Sequence, residues 1–260
     1  MRSGELRRAA QLIAGSSYAV ALTGAGISTP SGIPDFRSPR SGLWAHYDPM
    51  EVASLYAFQR QPQAFYDWLR PLAEMAWRAH PNPAHLALAE LEESGMLRGV
   101  ITQNIDDLHQ KAGSKTVLEL HGNFREATCL RCYSLVPAAS FLAGFLSDGQ
   151  VPRCHCGAVL KPNVVLFGEM LPVGPFYRAQ EMVERCDLMI VVGSSLEVAP
   201  AADLPGVALA HGAKLAIFNR GRTTYDSRAT VLVKGDVSRT LPKVARLSQQ
   251  LKVAMDQSAG

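Results

Sequence analysis

Apolar and polar residues recur along this chain in two patterns. Short, nearly unbroken apolar runs at residues 18–23, 97–102, 116–120, 187–192, 214–218 and 229–233 have the length of strands buried on both faces. Between most of them the apolar residues return at helical spacing, over 5–13, 63–77, 83–93 (with Leu86, Leu88, Ala89 and Leu91) and 175–185. Strands alternating with helices predict a doubly wound α/β fold around a Rossmann-like parallel sheet.

Two stretches interrupt the alternation. Residues 36–80 are rich in Trp, Tyr and Phe and read as a flap followed by helices, while 125–160 hold four of the five cysteines and no long periodic segment. The expected organisation is a sheet domain from 1–35 with 81–124 and 161–260, a flap and helical insertion at 36–80, and a small metal-binding module at 125–160. The insertions would form a second, smaller lobe, and the crevice between lobes is a favoured place for ligands.

Within 125–160, Cys129-x2-Cys132 and Cys154-x-Cys156 approximate a four-cysteine zinc site, the second half tighter than usual. Four protein ligands close the coordination sphere, so such a zinc is structural. His155 is the lesser candidate for a ligand, and Cys186 reads as a packing residue. No apolar stretch reaches the roughly 18 residues needed to cross a bilayer. Residues 2–26 do not read as a secretion signal, because Gln11, Ser16 and Ser17 interrupt the apolar run. A cytoplasmic protein is expected, where disulfides are rare. The net charge of +3 comes from scattered basic residues, which gives no footprint for a specific nucleic acid. Nothing points to a membrane partner, and no feature specifies an oligomeric state.

The loop after the first strand, Thr23-Gly24-Ala25-Gly26-Ile27-Ser28, is where such a sheet brings its backbone to a nucleotide phosphate. Glycine there would clear the Cβ atoms from the approach. The full dinucleotide fingerprint is missing. Thr29 stands where a third glycine belongs, and Asp48 and Glu51, near the interval of the ribose-binding acid, follow no strand. That argues against a hydride-transfer dehydrogenase.

Four more segments accompany this loop and its continuation Gly32-Ile33-Pro34-Asp35-Phe36-Arg37. They are Thr102-Gln103-Asn104-Ile105-Asp106, Glu119-Leu120-His121-Gly122, Val165-Leu166-Phe167-Gly168-Glu169 and Gly193-Ser194-Ser195-Leu196. In this order and spacing, across 6–241, the chain resembles the sirtuin family of NAD-dependent protein deacylases in its bacterial and archaeal form.

The resemblance implies an enzyme that takes acetyl groups from protein lysines and consumes NAD, releasing nicotinamide and O-acetyl-ADP-ribose. The acyl-lysine carbonyl oxygen displaces nicotinamide, and His121 is implied as the general base that deprotonates a ribose hydroxyl for attack on the resulting amidate. An imidazole, with an ordinary pKa of about 6.5, suits that task. Asn104 and Asp106 are implied as its catalytic companions at the nicotinamide ribose and nicotinamide pocket, with Gln103 and Ile105 beside them on the NAD. Gly24, Ala25, Gly26, Ile27 and Ser28 would line the phosphates and nicotinamide site. Asp35, Phe36 and Arg37 would form a mobile flap that shields the reactive sugar from water. Gly193, Ser194 and Ser195 would meet phosphate and ribose, and Asn219, Arg220, Gly221, Asp236 and Val237 the adenosine. Val164, Val165, Phe167, Gly168 and Glu169, opposite Leu196 and Val198, would clamp the acetylated substrate chain by strand addition. The family's structural Zn2+ would sit on Cys129, Cys132, Cys154 and Cys156.

Succinyl-preferring relatives carry Tyr-x-x-Arg on the helix after the flap, whereas the matching stretch here is Tyr66-Asp67-Trp68-Leu69. Arg70, one residue on, is turned about 100° around the helix, so acetyl-lysine and longer uncharged acyl-lysines are expected to be preferred over succinyl-lysine. Two other activities fit parts of the pattern. A mono-ADP-ribosyltransferase would use the same NAD site, but His121 and the Phe-Gly-Glu segment favour deacylation. A zinc-ribbon nucleic-acid binder would gather basic residues about the cysteines, where only Arg131 and Arg153 occur. His46, His80, His85, His109, His155 and His211 read as packing or capping residues, His109 lying near enough to Asp106 to orient it.

Overall fold

The structure is a computed structural model that describes residues 3–36, 38 and 42–258; Arg37 of the expected flap lies outside them. Helix α1 (Ser3–Ala14) leads into β1 (Ala19–Thr23), and after a long connection come α2 (Pro49–Val52), α3 (Leu55–Arg60), α4 (Pro62–Arg78) and α5 (Pro83–Glu93). Strand β2 (Val100–Thr102), α6 (Leu108–Lys111) and β3 (Val117–Glu119) follow. Next come β4 (Gly122–Cys129), β5 (Leu135–Pro137), α7 (Leu142–Asp148) and β6 (Leu160–Val164). The chain then alternates through α8 (Val173–Arg185), β7 (Leu188–Val192), α9 (Leu204–Ala210), β8 (Lys214–Asn219), β9 (Val231–Lys234) and α10 (Val237–Ser258).

Six strands pair in the order β3-β2-β1-β7-β8-β9, every pair parallel, which is the doubly wound α/β arrangement the apolar runs predict. Their side chains alternate between two cores. Ala19, Ala21, Leu188, Ile190 and Val192 face α1, α5 and α10, while Val20, Leu22, Met189 and Val191 face α8 and α9. The run 97–102 is divided: the Leu97 N–H still bonds the Leu91 carbonyl at 3.0 Å, so the strand begins only at Val100.

The strands end in register. Thr23 pairs with Thr102 on one side and Val192 on the other, Thr102 with Glu119, and Val192 with Phe218. Gly24, Gln103, Gly193 and Asn219 therefore leave the sheet along one line, with Leu120-His121 beside them. At the switch point between β1 and β7 the emerging loops touch, and the Gly26 N–H donates to the Gly193 carbonyl at 2.8 Å. A Cβ on Gly26 would stand 2.8 Å from that carbonyl oxygen, and one on Gly193, whose φ is +62°, would stand 2.2 Å from the Ile27 nitrogen. The space cleared by these glycines is thus taken by a neighbouring loop's backbone, not by a ligand phosphate as the motif alone suggests.

A three-stranded antiparallel sheet, β5-β4-β6, grows out at Gly122 and returns at Val164. Phe58, Phe65, Tyr66 and Leu69 of the helical stretch share one core with Leu142 and Phe145 of α7 and with Val164 and Leu166. The two interruptions of the alternating pattern thus pack as one lobe.

Beneath the carboxyl ends of β1 and β2 lie two buried histidines, His85 of α5 and His109 of α6, their rings 5.0 Å apart. His109 Nε2 is 2.9 Å from Thr23 Oγ1, and His85 Nε2 is 3.4 Å from Ser28 Oγ. Burial lowers the pKa of His85 to about 4 and that of His109 to about 3, so both are neutral near neutrality. In the unfolded chain each returns to about 6.5 and binds protons that the native state refuses. The stability that their burial contributes is complete above about pH 6.5 and is lost as the pH falls toward the folded values. The urea midpoint should therefore drop between about pH 7 and about pH 4, less steeply in His85→Gln than in the parent. A flat profile over that interval would contradict this.

Candidate active site

A cleft of about 840 Å³ opens along the carboxyl edge of the large sheet. Gly24, Ala25 and Gly26 line it together with Gln103, Asn104, His121, Gly193, Ser194 and Ser195, and toward β8 and β9 with Asn219, Arg220, Gly221, Asp236 and Val237. Asp35 and Phe36 come in from the flap and Val198 from the loop after β7. Parallel strands in register account for this gathering.

The tautomer of His121 follows from its partner. Its Nδ1 lies 2.9 Å from the Gln103 carbonyl oxygen, which can only accept, so Nδ1 carries the hydrogen and Nε2 the basic lone pair. Gln103 is held in turn, its Nε2 donating to Ser194 Oγ at 3.0 Å across the switch point. Asn104 Nδ2 donates to the Gly24 carbonyl and to Ser28 Oγ at 3.2 and 3.1 Å.

Ser28 and Asp106 are buried beneath the lining. His85 Nδ1 accepts from the Asn82 N–H at 3.3 Å, which leaves Nε2–H facing Ser28 Oγ. Ser28 Oγ donates to Asp106 Oδ2 at 2.6 Å, and Asp106 Oδ1 accepts from the Leu108 N–H at 3.0 Å. Burial raises the Asp106 pKa above the usual carboxylate range, against the lowering effect of these bonds. His85 thus belongs to the network beneath the cleft. Its place in the helical pattern read as packing, and the one local signal was its position at the third residue of a helix capped by Asn82.

Ile27 is wholly buried in the sheet core, Leu196 in the opposite core, and Ile105 packs on the core of the lobe; none of the three lines the cleft. Val164, Val165, Phe167, Gly168 and Glu169 also lie outside the lining, but the Val165 N–H bonds the His121 carbonyl at 2.9 Å. On its other side the segment meets the entry to α3, with Leu55 N–H to Phe167 O at 3.0 Å and Phe167 N–H to Ala53 O at 2.9 Å. Phe36 stacks on Trp44 at 5.1 Å, and Trp44 meets Phe167 edge-on at 6.0 Å, which joins flap to segment. Met75 of α4, Glu197 and Arg222 also line the cleft. Met75 carried no local signal, because only the packing of the lobe brings it there.

The lining fits a dinucleotide by the chemistry of its donors: two loops at strand ends, the hydroxyls of Ser194 and Ser195, and the amides of Gln103, Asn104 and Asn219 suit phosphates and ribose. The sulfurs of Cys129, Cys132, Cys154 and Cys156 lie within 4.8 Å of one another, two pairs of them 3.5 Å apart. Tetrahedral zinc with bonds of about 2.3 Å separates its sulfurs by about 3.8 Å, so this set fits one zinc ion. The N–H groups of Arg131 and Cys132 already point at Cys129 Sγ, and the five cysteines form no disulfide. His155 is outside the cluster, and Cys186 is buried where α8 gives way to β7. Arg70 turns toward α7, donating to the carbonyls of Leu146 and Ser147 at 2.7 to 3.0 Å.

Comparison with known proteins agrees along nearly all of the chain. The model of the Sir2 family matches residues 24–200. NAD-dependent protein deacylase 2 of Archaeoglobus fulgidus is 47% identical over 250 residues, covering 95% of this chain and 98% of the relative. The NAD-dependent protein deacetylase of Sulfolobus acidocaldarius is 44% identical over 247 residues, covering 95% and 96%. A structure from work on the mechanism and regulation of Sir2 enzymes superposes with a TM-score of 0.91 at 47% identity, over 96% of this chain and 100% of that one. Sir2Af2 bound to a myristoylated histone peptide does so with a TM-score of 0.83 at 41% identity, over 97% and 100%. Sequence, fold and cysteine cluster converge, and the chain belongs to the Sir2 family.

Proposed function

We propose that the cleft removes acetyl groups from lysines of protein substrates and consumes NAD, with nicotinamide and O-acetyl-ADP-ribose as products. The observation that carries this reading is the Nδ1–H bond from His121 to the Gln103 carbonyl, which leaves Nε2 as a base among the strand-end loops. His121 takes a proton from a ribose hydroxyl at Nε2. Asn104 and Gln103 hold that ribose. Asp106 serves the nicotinamide pocket, held there by the Ser28 hydroxyl and the Leu108 N–H. Gly24, Ala25, Gly26, Gly193, Ser194 and Ser195 bind the phosphates, Asn219, Arg220, Gly221, Asp236 and Val237 the adenosine, and Phe36 excludes water. Ile27 and Ile105 contribute through their backbone.

The acetylated chain lies between 164–169 and 196–198 as an added strand. Residues 1–35, 81–124 and 161–260 make the NAD-binding domain, 36–80 the flap and helical insertion, and 125–160 the module that one structural zinc holds together on Cys129, Cys132, Cys154 and Cys156. Among the described residues no helix is long and apolar enough to cross a membrane. Unpaired cysteines support work in the cytoplasm.

Three outcomes test this reading. His121→Ala should lower kcat/KM for an acetyl-lysine peptide by about 10²- to 10⁴-fold while zinc content and the thermal midpoint stay those of the parent; near-normal turnover would remove His121 from the chemistry. Cys129→Ser should lose zinc and thermal stability together, because metal binding and folding of so small a module are coupled; a fully stable, metal-free variant would refute the zinc assignment. Arg70 is committed to α7 and Tyr66 donates its hydroxyl hydrogen to the Leu160 carbonyl, so neither of these two is placed to take a succinyl carboxylate. Acetyl peptide should be preferred over succinyl by at least about tenfold in kcat/KM, the scale of one missing charge-assisted hydrogen bond. A preference for succinyl would show that another cation serves the acyl pocket.

A further inference from the structure

Lys161, on β6, is the only lysine or arginine that is buried among the described residues. An ammonium group is costly to bury unless its donors are all met. Here each of its three N–H groups has an acceptor: Nζ lies 2.8 Å from the Val164 carbonyl, 3.1 Å from the Pro162 carbonyl and 2.9 Å from Glu169 Oε2. The same carboxylate oxygen accepts from the Leu166 N–H at 2.8 Å. One ion pair therefore gathers residues 162, 164, 166 and 169 around a single point.

The segment so gathered joins two parts of the site. Val165 is bonded to the carbonyl of the base His121, and Phe167 to the entry of α3. Gly122, next to His121, approaches so closely that a Cβ there would stand 1.9 Å from the Asn163 carbonyl oxygen. Any slackening of 161–169 would shift a peptide strand relative to the base. Among the described residues the acceptors of the Lys161 ammonium all lie within 162–169, so its hydrogen bonds serve the shape of this segment.

We propose that Lys161 is a positioning residue for the deacylation: by drawing the Val164 carbonyl and the Glu169 carboxylate onto one buried ammonium, it holds 164–169 in the conformation that receives the substrate strand beside His121. This rests on the reading of 164–169 as the peptide-binding segment. A loop ordered before binding spares the complex that ordering cost, so loss of the clamp acts on peptide affinity more than on NAD.

The test uses the zinc-loaded full chain with NAD and an acetyl-lysine peptide. Lys161→Met should raise the peptide KM by about tenfold or more while calorimetric affinity for ADP-ribose stays within about twofold, and Lys161→Arg should restore the peptide KM. Removing both charges in Lys161→Met/Glu169→Gln spares the fold an unpaired, half-buried carboxylate, so this variant should melt like the parent and still show the raised KM. Amide exchange across 164–169 should quicken in Lys161→Met without a change elsewhere. A parental peptide KM in the double variant, or a parallel loss of ADP-ribose and peptide affinity, would overturn the proposal. If the parent gains no exchange protection across 164–169 when the peptide is added, the peptide-segment reading fails and takes the role of Lys161 with it. Protection in the parent combined with an unchanged KM in Lys161→Met overturns the role of Lys161 alone.

Discussion

No side chain takes part in the contact on which the cleft depends. Where β1 and β7 part, the loop 24–27 lies against Gly193 with an N–H to carbonyl distance of 2.8 Å, and a Cβ on either Gly26 or Gly193 would overlap the other loop's backbone. From this crossing a series of hydrogen bonds runs to His121. Asn104 reaches the Gly24 carbonyl, Gln103 reaches Ser194, and the ring of His121 hangs from the Gln103 carbonyl. Displacing the crossing by even an ångström would move every member of that series, and positioning errors of this size cost reaction rate steeply.

The second lobe is tied to the same point. Strand β4 starts at Gly122, one residue after His121, and its partner β6 runs straight into 164–169. Zinc at the far end of β4 secures that sheet. The Arg70 guanidinium on the α7 carbonyls and the Tyr66 hydroxyl on Leu160 secure the helical stretch against it. The cysteine cluster at the far end of β4 is thus connected through β4 and β6 to His121 and to 164–169.

Much of this was legible in the sequence because the strands are buried on both faces. Runs such as 187–192 have the length and composition of a central parallel strand, and the helix over 83–93 begins at Pro83 after its Asn82 cap. The carboxyl-edge loops could be named for the same reason. What stayed hidden depends on contacts distant in sequence. His85 looks like any apolar-face residue until Ser28 is brought above it, 57 positions away, and Met75 enters the cleft only through the packing of the lobe. The role of Gly26 and Gly193 was legible in kind but not in object, since only the pairing of β1 with β7 shows which backbone fills the space.

The central claim is that this cleft passes an acyl group from lysine to the ribose of NAD. Mass spectrometry of the products formed from NAD and an acetyl-lysine peptide tests it most directly. The account predicts a peptide that has lost its acetyl group, with one nicotinamide and one O-acetyl-ADP-ribose formed for each lysine freed. A peptide that keeps its acetyl group and gains the mass of ADP-ribose, or free ADP-ribose beside an intact acetyl-lysine, would contradict it.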